Sequence, residues 1–109
     1  MDNAAKLQEL SFETITSAGD AKAFAYEALA AAKAKDRALY EAKMNEADAA
    51  IAQAHHYQFD LLSAEANQEL DITFSILLVH AQDHLMTTMT SIELIKEIAE
   101  PYLNGSQTK

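Results

Sequence analysis

The stretch ILLVHAQDHLMTTM, residues 76–89, decides how the chain folds. Leu77, Leu78, Ala81, Leu85 and Thr88 recur at helical steps, so they share one helix face. The pattern reaches back to Phe74 and on through Ile92, Ile95 and Ala99. The reading is a helix from about Ile72 to Glu100, capped by Asp71 or Thr73. Pro101 is expected to stop it, because proline has no donor for a helix interior. The remainder, YLNGSQTK at 102–109, reads as a polar, frayed tail of a single domain spanning 1–109.

Two more helices precede this one. The first runs from about Ala4 to Ala34, with Asp2 or Asn3 as its cap. Leu7, Leu10, Thr14, Ala18, Ala21, Ala25, Ala28 and Ala32 form one stripe, and Phe12, Ile15, Gly19, Ala23 and Tyr26 an adjoining one. Gly19 costs roughly 1 kcal/mol against alanine inside a helix, so it marks either a close approach of another backbone or a bend. Asp36 caps a second helix, from about Arg37 to Asn67. Leu39, Ala42, Ala49, Ala50, Ala54, Leu61 and Leu62 supply its apolar positions, widened by Tyr40, Met44, Ala47, Ile51, His55 and Phe59. The fold class is therefore all-α, a three-helix bundle whose short connections make neighbours antiparallel. More than one face of each helix is apolar or small, and that surplus argues for self-association.

Composition narrows the function. The 109 residues contain one proline, two glycines, no tryptophan and no cysteine, with 50% apolar residues. That supports one helical core and excludes disulfides and thiolate chemistry. Seventeen acidic against eight basic residues give a net charge of −9. Such a surface repels phosphate backbones and anionic lipid, so no nucleic acid is expected. No basic flank leads an apolar N-terminal run, and no segment approaches the roughly 18 consecutive apolar residues of a membrane span.

The third helix nevertheless carries His80, Gln82, Asp83 and His84 in a greasy run. His80, Asp83, His84 and Thr87 share a face, while Gln82 lies some 200° round from His80. Buried without partners, these groups would cost several kcal/mol. Four readings account for them: hydrogen bonds that fix bundle register, a metal held by two histidines and a carboxylate, recognition of a partner on an acidic helical adaptor, and nucleophilic chemistry by histidine. Imidazole is partly unprotonated near neutral pH and attacks phosphorus. In that last reading Thr87 donates to a phosphoryl oxygen and Asp83 orients a ring or holds a cation. His56 is expected to face solvent and His55 to pack.

HAQDHLMTTM, residues 80–89, resembles the active-site segment of the enzyme IIA component of the lactose/cellobiose (chitobiose) class of bacterial sugar phosphotransferase systems. GDAKAFAYEALAAAKAKD, residues 19–36, resembles that family's AGDA segment and the helix after it. EADAAIAQAHHYQFDLL, residues 46–62, is similar to its second-helix segment. The likeness runs from about Leu10 to Ile98.

The resemblance implies a cytoplasmic subunit that assembles as a homotrimer, a nine-helix bundle. It implies that His80 is phosphorylated by the histidine-containing phosphocarrier protein. Phospho-His80 then passes its phosphoryl group to a cysteine of the IIB component, and the membrane IIC component couples this to sugar entry. It implies that Asp83 meets its symmetry mates at the trimer axis and binds a divalent cation, typically Mg2+. His84, Gln82 and Thr87 would support the site. No direct sugar binding is implied, and the sequence does not choose between lactose, cellobiose, chitobiose and other β-glucosides.

Overall fold

A computed structural model of the chain describes residues 3–68 and 75–105. It contains three α-helices: α1 (Asn3–Lys33), α2 (Arg37–Ala66) and α3 (Ile76–Asn104). The first two match their sequence-based bounds within a residue. The carboxylate of Asp36 caps α2 by accepting from the Leu39 amide at 3.1 Å. The tight reversal before it places Lys35 at φ 63°, in the left-handed region.

Both ends of the third helix differ from expectation. Asp71 and Thr73 lie outside the described residues, as does Phe74. The observed cap is Ser75, whose hydroxyl accepts from the Leu78 amide at 3.3 Å, so α3 begins at Ile76 rather than Ile72. At the far end α3 passes through Pro101 and continues to Asn104. Proline there leaves one carbonyl without its helical donor, and Pro101 is exposed, so water can meet that carbonyl. The turn beyond is tied down from outside the helix. Lys35 Nζ donates to the Tyr102 carbonyl at 2.9 Å, and Arg37 Nη2 donates to Asn104 Oδ1 at 3.0 Å. Tyr102–Asn104 are therefore helical rather than frayed.

The core is built at three levels. Leu7, Leu61 and Ala64 meet at one end, with Leu10 and Leu78 packed against them. Ala18, Ala54 and Leu85 form the middle. Ala21, Ala25, Ala28, Met44, Ala47, Ile92 and Ile95 form the third. Alanines at 18, 21, 25, 28 and 32 are fully buried, so the first α1 stripe is core and not merely helix-favouring surface. Their small side chains let α1 lie close to both other helices. Contacts are dense from α1 to each of them and sparse between α2 and α3.

The second stripe of α1 stays largely outside this core: Phe12 and Tyr26 are exposed and Ile15 is half-buried. On α2 the inward face is Met44, Ala47, Ala54, Leu61 and Ala64, which draws on both sequence stripes. Leu39, Phe59 and Leu62 face out, and so does His55, which was expected to pack. His56 is exposed as expected, 3.5 Å from Asp60. Among the described residues, no helix is long and apolar enough to cross a membrane.

Candidate functional site

Ala81, Leu85, Thr88 and Ile92 bury one side of α3, and this fixes where its polar residues point. Successive residues on a helix diverge by about 100°. The residues adjacent in the motif are therefore dealt out to different surroundings.

His80 is exposed, on the side of α3 that borders α1. His84 lies one turn on and is half-buried. Their rings are parallel within 2°, with centroids 6.0 Å apart. Neither ring makes a hydrogen bond among the described residues. His84 packs towards Gly19: a Cβ added to that glycine would sit 3.8 Å from His84 Nε2. A side chain, not another backbone, is thus what Gly19 faces, at an ordinary contact distance. Burial lowers the His84 pKa; the charges of His80 and Lys22 push the same way, and Asp83 opposes them. His84 therefore stays neutral where an ordinary histidine would begin to protonate.

Gln82 turns to the opposite side of α3, where its Oε1 accepts from Gln58 Nε2 on α2. It joins two helices that otherwise touch little, and it lies away from His80. Thr87 Oγ1 donates to the Asp83 carbonyl at 2.8 Å and approaches the His84 carbonyl at 3.3 Å. Its single proton is committed to the backbone, so donation to an oxyanion at His80 requires the hydroxyl to rotate.

Asp83 is exposed on the outward face of α3. Ile76, Val79, Met86 and Leu94 share that face with it, and Ile76 is 77% exposed. Among the described residues, no three His, Asp or Glu side chains are grouped so that they could hold a metal ion. One carboxylate offers at most two oxygens. A divalent cation at Asp83 therefore needs oxygen ligands from other copies and water.

On α3 the geometry leaves the His80 imidazole exposed and without a hydrogen bond among the described residues, on a helix whose other side is locked in the core. A family model described as "PTS system, Lactose/Cellobiose specific IIA subunit" matches residues 9–103. The chain belongs to this family. It is a phosphotransferase-system IIA component, a phosphoryl carrier that works through a phosphohistidine and passes the group to IIB. It is 44% identical over 104 residues to the lactose-specific EIIA component of Staphylococcus epidermidis, covering 95% of this chain and 99% of that one. The crystal structure of the cellobiose-specific enzyme IIA of Bacillus anthracis superposes with a TM-score of 0.88 at 38% identity, covering 94% of each chain. The chitobiose IIA of Escherichia coli, solved in complex with HPr, superposes with a TM-score of 0.78 at 37% identity, covering 92% of this chain and 96% of that one.

The placement of Gly19 beside His84, and the Gln58–Gln82 link, were not read from the sequence. The signal for the first was the AGDA segment, which was recognised without being assigned a contact. The second joins separate helices, and spacing along either helix does not reveal it.

Proposed function

We propose that His80 is the residue that carries the phosphoryl group. The observation that supports this most directly is its exposure, with both ring nitrogens unengaged, beside a histidine that burial keeps neutral. In loading, a ring nitrogen of His80 attacks the phosphorus of phosphohistidine on HPr. The new N–P bond forms as the old one breaks, and the electron pair returns to the donor imidazole. In unloading, a IIB cysteine thiolate attacks, an S–P bond forms, and His80 is left as free imidazole. Both nitrogen-bound states are chemically alike, so positioning rather than driving force governs loading. The complex of the chitobiose relative with HPr supports HPr as the donor. The site is cytoplasmic in this reading, and IIC is reached only through IIB.

The order of the core levels supports an antiparallel run of consecutive helices. Numbers rise along α1 from Leu7 to Ala28 while they fall along α2 from Ala64 to Met44. The exposed Ile76, Val79, Met86 and Leu94 support a homotrimer in which α3 of each copy meets the others. Asp83 lies inside that stripe, so trimerisation brings three carboxylates together. Their repulsion is relieved by a shared cation such as Mg2+ or by a shared proton. Asp83 is the residue that would hold the cation, whose part is to neutralise charge at the axis.

The test is labelling from phosphoenolpyruvate through the phosphocarrier chain. The protein gains one acid-labile, base-stable phosphoryl group per subunit, and His80→Ala gains none while keeping its helical circular dichroism. Undiminished labelling of His80→Ala refutes the assignment.

A further inference from the structure

The chain carries eight basic residues against seventeen acidic ones. Most described cations are engaged. Lys43 lies 3.0 Å from Glu27, Lys96 lies 3.1 Å from Asp48, and Lys35 holds the Tyr102 carbonyl. Lys22 makes no ion pair and no hydrogen bond among the described residues. It is exposed, and it sits one turn past Gly19 on the α1 face that meets His84.

The direction of its side chain follows from helix geometry. Levels along α1 and α3 rise together in number, from the end where Leu78 packs against the cluster holding Leu7 to Gly19 beside His84. Helical side chains lean towards their own N-terminus. Lys22 therefore leans back towards the level of Gly19 and His84, and its long, unpaired side chain is free to reach along that border. The His80 ring is only 6.0 Å from that of His84, centroid to centroid. A phosphoryl group on His80 adds up to two negative charges to a strongly acidic surface.

We propose that Lys22 of the same subunit is the cationic partner of the phosphoryl group on His80, its Nζ donating to the phosphoryl oxygens. This deepens the reading of His80 as the carrier residue and rests on it. The contact forms only in the phosphorylated state. It stabilises phospho-His80 relative to phosphorylated donor and leaves the unphosphorylated fold as it is.

The experiment measures the equilibrium of phosphoryl groups between the purified phosphocarrier protein and the full chain, for wild type, K22Q, K22R and the remote control K6Q. K22Q is expected to shift the equilibrium towards the donor by roughly two- to fivefold at low ionic strength, the range of an exposed ion pair. K22R restores it, because the charge is kept. Added salt erodes the difference between wild type and K22Q. Melting temperatures stay level, since Lys22 supports nothing in the core. Wild type and K22Q with the same equilibrium at low salt, both labelled, overturn the role of Lys22 and leave His80 standing. K6Q shifting as far as K22Q also overturns it, since the effect would then be one of net charge. A wild type that takes no label overturns both readings.

Discussion

Replacing Gly19 with alanine should stabilise the protein. Glycine within a helix costs about 0.5–1 kcal/mol relative to alanine, mostly through backbone freedom lost on folding. Gly19 lies well inside α1, and no glycine among the described residues has positive φ, so alanine fits its backbone. The added Cβ meets His84 Nε2 at 3.8 Å, an ordinary contact that takes nothing back. The whole gain should therefore appear, raising the melting temperature by roughly 2–5 °C for a domain of this size. Far-UV circular dichroism at fixed protomer concentration reads it, because any assembly makes the midpoint concentration-dependent. Urea unfolding should give a higher midpoint with unchanged slope. A lower melting temperature would refute the reasoning, because it would mean that something other than His84 comes close to Gly19 in the assembled protein.

Leu85→Ala should cost about 2–5 kcal/mol, because Leu85 is fully buried against Ala18 and Ala54, which are too small to fill the void; a loss below about 1 kcal/mol by urea titration contradicts that packing. His84 has its pKa lowered from 6.5 by burial. As pH falls through that value the unfolded chain takes the proton first, so stability present above it declines towards the lower folded value. His84→Gln should flatten this decline in urea midpoints taken across the acid side of neutrality, and an unchanged slope counts against the burial of that ring. Chelation should loosen the assembly in sedimentation, whereas Asp83→Leu should hold it without metal; a wild-type trimer indifferent to the chelator removes the cation from Asp83.

How much was legible depended on how many faces of a helix were apolar. On α1 the first of the two stripes, from Leu7 to Ala32, and on α3 the single stripe from Ala81 to Ala99 are buried or half-buried. On α2 two adjoining stripes were equally good. The choice fell to the partner helices, which took Met44 and Ala47 and left Leu39, His55 and Phe59 outside. The stop at Pro101 failed because a helix end is decided by what anchors the turn beyond it. Here Lys35 and Arg37, at the α1–α2 junction, hold that turn. Local sequence gives no access to contacts made from so far along the chain. The same limit hid the packing of His84 towards Gly19 on another helix.

Of the polar residues in the third helix that were expected to need burial energy returned to them, only His84 is partly buried without a hydrogen bond among the described residues. His80 and Asp83 are exposed, while Gln82 is satisfied by Gln58 on the far side of the helix. The split expected from the sequence is the one observed: the amide of Gln82 turns towards α2, away from His80 and Asp83, which stay about 60° apart on the exposed side. The helix is held by Ala81, Leu85 and Thr88, the residues interleaved with them. That interleaving suits a carrier. In the proposed reading the nucleophile, His80, stands on a segment that cannot shift without breaking the core, yet contributes nothing to the core itself. A phosphoryl group carried there, as proposed, would change the charge of His80 while the packing beneath it stays as it was. The one neighbour that couples ring to core is His84, packed towards Gly19, and there a methyl-sized space separates a histidine that can adjust from a helix that cannot.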